Sequence, residues 1–346
     1  MKSFNIDGRY IGEDQPPFVI AEVGINHEGS LDKAINMVES ASSVGCECVK
    51  FQCHVIEDEM TTEAQKVIPG NADESIWDIM SRCALTEDEE LQVMERCREL
   101  DILYLSTPFS RAAADRLESM GVAAYKIGSG ECNNTPLIKH IARFGKPIIL
   151  STGMNDIASI KKSVQILRAE KVPYALLHCT SMYPTPYDKV FYGAISELRH
   201  NFNCQVGLSD HSLGIWTVLG SVALGASILE KHYTSDKSWP GPDIPISIDQ
   251  HELQQLIEGS RAIWQARGGA KQILMEEQPT IDFAYASVCA IKSIKVGEPL
   301  SHENIWVKRP GTGEIKAVGF FDLLGKKAKN DISEGTFLKH RDYLND

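Results

Sequence analysis

Eight short apolar runs, each ending in a cluster of polar residues, constrain this chain more than any other feature. They are FVIAEVGINHEG, CVKFQ, LYLSTPF, AAYKIGSGE, PIILSTGM, YALLHCTS, CQVGLSDHS and ASILEKHYT. Their cores are mostly Val, Ile, Leu and Ala, the pattern of strands buried on both faces. Between them lie amphipathic segments of helical period, such as Leu31–Val44, Glu87–Leu100 and Ile157–Ala169. Eight strand–helix repeats over roughly 270 residues predict an α/β protein built on a (β/α)8 TIM barrel. In that fold the C-terminal strand ends line the active site, so the polar residues closing the runs are expected to converge on one pocket. An enzyme is the expectation before any single residue is interpreted.

The 346 residues leave room for a barrel and one small further domain. The barrel domain is expected over residues 1–267, its strands starting near Phe18 and its last helix being Gln250–Arg267. A linker, 268–284, follows with the sequence GGAKQILMEEQPTIDF at its heart. Fully extended, at up to roughly 3.3 Å per residue, it would reach roughly 50 Å. The remainder, 285–346, reads as a compact domain with two strand-like runs and a short helix starting at Ser301. It is too small to bury much by itself, and is expected to pack on a barrel, its own or a partner's. An unusually long loop, Glu57–Ser75, carries IPGNADES between the second and third strands and is expected to act as a lid or substrate wall.

A net charge of −12 argues against nucleic-acid or anionic-membrane partners, which want a basic face. The N-terminal segment MKSFNIDGRYIGED has no apolar core of a signal peptide, and no apolar run reaches membrane-spanning length. Nine cysteines without a paired motif read as reduced thiols of a cytoplasmic protein. Cys179 and Cys289, inside strand-like runs, are expected to be small core residues.

His211 and His232 close the seventh and eighth runs. Neighbouring strands lie about 5 Å apart, so two imidazoles at matching depth can share one metal ion and leave positions open for chemistry. Asp243 follows in PGPD. Lys50 and Lys126 end the second and fourth runs, near Ser106, Thr107, Ser129, Ser151 and Thr152. Cations and hydroxyls in that mixture suit the phosphate and carboxylate of one small ligand. Glu22 and Glu131 are carboxylates at the ends of the first and fourth strands, placed to pair with the lysines or to serve as general base or hydroxyl acceptor. Spacing leaves open which does which.

At these residues the chain resembles the sialic acid synthases, and within them the bacterial branch that makes N-acetylneuraminate. The resemblance runs through EVGINHEGSL, VKFQ, IPGNADESIW, STPFSRAAA, YKIGSGECNN, ILSTGM, LLHCTSMYPTPY, GLSDHSLG, LEKHY, GPDI and WVKRPGTG, in order and over nearly the whole chain. It implies condensation of phosphoenolpyruvate with an open-chain N-acetylhexosamine, N-acetylmannosamine for sialic acid, with release of phosphate. It implies a divalent metal, typically Mn2+ with Mg2+ or Co2+ as substitutes, on His211 and His232. Phosphoenolpyruvate would be held by Lys50, Thr107, Lys126, Ser129, Ser151 and Ser209. Gln52, Glu131, Tyr183 and Asp243 match positions facing the amino sugar, and Glu22 matches a carboxylate beside the reacting carbons. The terminal domain resembles an antifreeze-like (SAF) domain, and Arg309 matches an arginine that one subunit inserts into the other's site. A domain-swapped homodimer is therefore implied.

Two departures bear on the sugar. Ser181 stands at a phosphoenolpyruvate-side position where close relatives have Asn, and Lys231 replaces an arginine. Synthases of legionaminic or pseudaminic acid, which act on 2,4-diacetamido-2,4,6-trideoxyhexoses, share the metal and phosphate residues. Barrels that make eight-carbon keto-deoxy sugars lack a terminal domain bearing KRPG. A pure binding module would have no need of Lys50, Lys126, His211 and His232 together.

Overall fold

The computed structural model describes residues 3–70 and 72–344; Asn71, within IPGNADESIW, lies outside the described residues. The chain divides into two compact units, Met1–Gly268 and Gly269–Asp346.

The first unit opens on a hairpin that the strand pattern did not announce, β1 (Phe4–Ile6) and β2 (Arg9–Ile11). Its two-residue turn, Asp7-Gly8, has both residues at positive φ, 46° and 89°, the geometry for which Asp-Gly is favoured. Eight parallel strands follow, one on each of the eight runs, with β4 ending one residue beyond its run: β3 (Phe18–Gly24), β4 (Cys48–Cys53), β5 (Leu103–Pro108), β6 (Tyr125–Ile127), β7 (Ile148–Ser151), β8 (Tyr174–Cys179), β9 (Gln205–Asp210) and β10 (Ile228–His232). They run in the order β5-β4-β3-β10-β9-β8-β7-β6, and the two end strands lie against each other, so the sheet curls into a nearly closed TIM barrel.

The outer ring begins with α1 (Leu31–Ser43), α4 (Glu87–Glu99) and α5 (Arg111–Met120), while α2 (Ile56–Glu59) and α3 (Ile76–Cys83) lie in the long segment before α4. It continues with α6 (Thr135–Ala142), α7 (Ile157–Ala169), α8 (Gly193–Phe202), α9 (Trp216–Ala223) and α10 (Gln250–Ala266). Local chemistry sets their ends. Thr86 and Asp249 each start a capping box with Glu89 and Glu252, satisfying backbone donors that a helix start leaves open. α1 buries Ala34, Met37, Val38 and Ala41, a stripe at helical spacing.

Two cores result. The larger lies between sheet and helices; the smaller fills the lower lumen with Phe18, Ile20, Leu105, Ile149, Leu177 and Ile228. Ile6 and Ile11 of the hairpin join the lumen core, so the hairpin stoppers the barrel's N-terminal end. The long segment between β4 and α4 is folded rather than loose, with α2, a 3-10 turn at Thr62–Lys66 and α3.

The second unit contains α11 (Gln278–Ala284), β11 (Ser287–Ala290) and β12 (Ile305–Lys308), the strands pairing antiparallel over a core of Val288, Ile294, Leu300, Ile305 and Leu338. The linker is not an extended tether: Met275–Glu277 and α11 coil it, shortening the reach expected from its length. Nor does Ser301 start a helix. Its carbonyl accepts from Asn304 and Ile305 and its hydroxyl from the Glu303 amide, closing one turn before the chain enters β12. Three intervening residues are too few to propagate a helix. All nine cysteines are free and buried. Among the described residues no helix is long and apolar enough to cross a membrane.

Candidate active site

Strand periodicity builds the site. Side chains alternate between lumen and helix layer, so a residue two beyond a lumen core position faces the lumen one layer higher. Ile20 is thus followed by Glu22, Cys48 by Lys50 and Gln52, Leu105 by Thr107, and Ala124 by Lys126. Ile149 is followed by Ser151, Leu177 by Cys179, and Ile228 by Glu230 and His232. The lumen changes from apolar to polar within one layer.

A cavity of about 390 Å³ opens on that polar layer. Glu22, Lys50, Gln52, Thr107, Lys126, Ser129, Glu131, Ser151, Ser181, Tyr183, Ser209, His211, His232 and Asp243 all line it. Of the residues expected at the site, Arg309 alone belongs to the second unit, directly after β12 and exposed. Ser106 and Thr152 do not reach the cavity. Each neighbours a lumen residue and so points outward; the Thr152 hydroxyl donates to the Leu177 carbonyl at 2.9 Å. Glu131 sits past the strand end, in the 3-10 turn Gly130–Asn133.

The two lysines are held apart in separate ion pairs. Lys50 Nζ lies 2.5 Å from Glu22 Oε2 and donates to Thr107 Oγ1 at 3.1 Å. Lys126 Nζ lies 3.4 Å from Glu230 Oε1 and donates to Ser151 Oγ at 2.8 Å. Its carboxylate partner is therefore Glu230, not Glu131, because Glu230 faces the lumen at its depth. Ser209 Oγ donates to the same Glu230 oxygen at 2.8 Å. Burial pushes Glu22 up to about 7, against the attraction of Lys50 and with repulsion from Glu230 adding to it. Glu230 is buried too, yet Lys126, Lys50 and Ser209 hold it below the usual carboxylate range. Burial pulls Lys126 down. The layer thus holds one firmly ionised carboxylate and one poised to exchange a proton near neutrality.

His211 and His232 lie with ring centroids 5.2 Å apart. His211 Nδ1 is 3.1 Å from the Thr180 carbonyl and 3.7 Å from Cys179 Sγ, and Tyr183 stacks on the ring at 4.2 Å. His232 Nδ1 is buried with no hydrogen-bond partner, and Asp243 Oδ2 is 3.6 Å away. Burial, with His211 and the lysines nearby, keeps His232 neutral and well below its usual range. Burial also pushes Asp243 up to about 6, against His211 and Lys50. Among the described residues no three His, Cys, Asp or Glu side chains are grouped as a closed metal cage. Two imidazoles with an orphaned buried nitrogen fit a metal held by few protein ligands and completed by water or substrate.

Three features escaped the sequence reading. Glu230 has a signal, being two residues before His232 on one strand. Cys179 is buried as expected, but it also lines the cavity. The third is a close approach at Gly153, where a Cβ would lie 2.4 Å from Ser181 Oγ and 2.8 Å from Ser129 Oγ; the Gly153 amide donates to Ser129 Oγ at 3.0 Å. The long β4–α4 segment supplies an apolar wall, with Pro69, Ala72, Ile76, Ile79 and Met80 facing the cavity.

A parallel barrel with two lysines, four carboxylates and two imidazoles around one strand-end cavity has the make-up of a barrel enzyme's active site, with donors for a small anionic ligand. The chain belongs to the NeuB family, which it matches over residues 37–272, and residues 285–343 match the SAF domain. It is 38% identical to an uncharacterized protein of Methanocaldococcus jannaschii, covering 100% of both chains. It is 37% identical to the N,N'-diacetyllegionaminic acid synthase of Campylobacter jejuni, over 93% of this chain and 98% of that one. Among solved structures, the N-acetylneuraminic acid synthetase of Leptospira borgpetersenii, in complex with citrate, superposes with a TM-score of 0.74 at 32% identity. That match covers 81% of this chain and 95% of the other. The protein is thus an enzyme of the sialic, legionaminic and pseudaminic acid synthase type.

Proposed function

We propose that the protein condenses phosphoenolpyruvate with open-chain N-acetylmannosamine and water, giving N-acetylneuraminate and phosphate. The observation that carries this reading is the meeting of a lysine–hydroxyl layer and an imidazole pair in one strand-end cavity. Lys50, Lys126, Thr107, Ser129, Ser151, Ser181 and Ser209 supply donors for a phosphate and a carboxylate, with the Gly153 approach leaving room for them. Gln52, Glu131, Tyr183 and Asp243 border the space left for the sugar. A divalent cation, Mn2+ in the first instance, would be held by His211 and His232 and would supply Lewis-acid polarisation of the sugar aldehyde.

Carbon three of phosphoenolpyruvate forms the new bond to the aldehyde carbon, and the aldehyde oxygen takes up a proton. Water then adds at carbon two, and Glu22, poised near neutrality, accepts the proton it loses. The tetrahedral carbon expels phosphate by C–O cleavage as its hydroxyl proton passes to the departing phosphate and the keto group forms, with Lys50 and Lys126 stabilising the departing charge. Phosphate release that requires both phosphoenolpyruvate and N-acetylmannosamine, with the acid product identified by mass, tests the reading; no release with any acceptor sugar overturns it.

A second acceptor is favoured by one observation each from the relatives and the cavity. A named legionaminic acid synthase is 37% identical, and the β4–α4 wall is apolar, which suits a deoxy sugar. A kcat/KM about a hundredfold better with 2,4-diacetamido-2,4,6-trideoxymannose or its altrose isomer would assign the enzyme to that branch.

We also propose a cytoplasmic homodimer in which Arg309 of each copy completes the partner's site. Exposed Met154, Tyr187, Phe191 and Trp216 in the first unit, and Val318 and Phe321 in the second, support a docked assembly. Mixing Arg309→Ala with His211→Ala under subunit exchange should then restore up to about a quarter of wild-type activity, since half the dimers are mixed and each carries one complete site. A mixture as inactive as its parents, or a monomer in sedimentation, defeats this arrangement.

A further inference from the structure

The helix-facing side of β9 and β10 carries a polar assembly that the reaction does not use. Asp210 and Lys231 are partners in the parallel register, immediately preceding His211 and His232. By alternation their side chains point away from the lumen, towards α9. Lys231 Nζ lies 2.7 Å from Asp210 Oδ2, with side-chain exposures of 0% and 1%. The same carboxylate oxygen accepts from Ser212 Oγ and from Thr217 Oγ1, each at 2.9 Å. Asp210 Oδ1 accepts from the Ser212 amide at 3.3 Å, and Lys231 Nζ also donates to the Ser212 carbonyl. His211 is thus bracketed by two residues of this assembly, His232 follows a third, and Thr217 ties it to the first turn of α9.

Stability does not ask for such a device. Withdrawing two charges from water is costly, and a well-packed apolar pair of similar volume often holds a fold as well. What an apolar pair lacks is direction. Charged hydrogen bonds fix the relative height and twist of two strand ends, whereas apolar contacts tolerate sliding. Metal-ligating imidazoles are commonly aimed by partners hydrogen-bonded to the ring; here no bond from the assembly reaches either ring, so the aim would be set through the backbone of the strand ends that carry them.

We propose that Lys231 and Asp210 form a clamp behind the barrel wall that positions His211 and His232 as a pair for one divalent cation. They are positioning residues, touching neither cavity nor substrate. The inference rests on the two-imidazole reading given above, and is independent of which sugar is used.

The test measures Mn2+ binding alone, by paramagnetic resonance of free Mn2+ against the full-length protein without substrates. The double variant Lys231→Met/Asp210→Leu removes both charges together and leaves neither buried alone. It should unfold cooperatively near the wild-type temperature yet bind Mn2+ about ten- to a hundredfold more weakly. Lys231→Arg keeps a charged donor for Asp210 and should stay within about threefold of wild type. If the double variant does not fold, Thr217→Val decides instead, with an expected loss of severalfold in Mn2+ affinity. Wild-type affinity in every folded variant overturns the clamp while leaving the imidazole pair standing. A wild-type protein that binds no Mn2+ overturns the clamp and the two-imidazole reading together.

Discussion

The lower and upper halves of the barrel lumen are built by the same strands, with the same alternation and nearly the same burial. Below, Ile20, Leu105, Ile149, Leu177 and Ile228 make an apolar plug closed by the hairpin's Ile6 and Ile11. One layer higher, Glu22, Thr107, Lys126, Ser151, Cys179 and Glu230 occupy the equivalent lumen positions. Only composition changes, and with it the energetics. The lower layer removes apolar area from water and stabilises the fold. The upper layer buries charges whose desolvation must be offset by partners or by a ligand, which is why its groups stand away from their ordinary ionisation. One half holds the barrel shut and the other spends part of that stability on chemistry.

That contrast can be broken most forcefully at the imidazoles. His232→Ala should lower kcat/KM by about three orders of magnitude or more while thermal unfolding stays near wild type, because a ligand supplies electrostatics rather than packing. Near-normal turnover would place His232 among structural residues. Next in size is Glu22→Gln, expected to lower kcat by about a hundredfold to ten-thousandfold with a much smaller change in KM. The wild-type rate should also climb as pH rises through about 7, where Glu22 ionises and becomes able to accept a proton. Glu22→Gln should abolish that limb; its survival would assign the titration to another group.

Leu177→Ala sharpens the comparison from the other side. It should cost about 2–5 kcal/mol of stability, as cavities in packed cores do, while kcat in the folded fraction changes by no more than about twofold. A large fall in kcat with little loss of stability would show that the two halves are not separable. The smallest effect is expected at Ser106→Ala, which removes a hydroxyl that faces away from the cavity; kcat and KM should stay within about twofold, in keeping with the modest worth of one hydroxyl there.

Sequence periodicity made the barrel strands legible. Each run is mostly apolar, as burial on both faces requires, and most of its polar residues gather towards its C-terminal end. The helix ends were equally readable at Thr86 and Asp249, whose caps are local. Local signals failed where context decides. Asp7-Gly8 marks a hairpin only because its flanking strands find the barrel end to cover. Ser301 has the chemistry of a helix cap, but β12 begins four residues later. Ser106 and Thr152 were grouped with Thr107 and Ser151 because neighbours in sequence look interchangeable until the pleat separates them.

By itself, then, the sequence determined the barrel, the second small domain and most of the polar residues brought to the cavity, though not Glu230, because periodicity and residue type are local properties that survive in a string. Tertiary structure alone decided the pairings: Lys50 with Glu22, Lys126 with Glu230, and Lys231 with Asp210 behind the wall. It also decided that Glu22 sits near neutrality while Glu230 stays ionised. The physical reason is that an ionisation or an ion pair depends on distance and on the water excluded around it. Both are set by strands far apart in the chain that only the closed barrel makes neighbours.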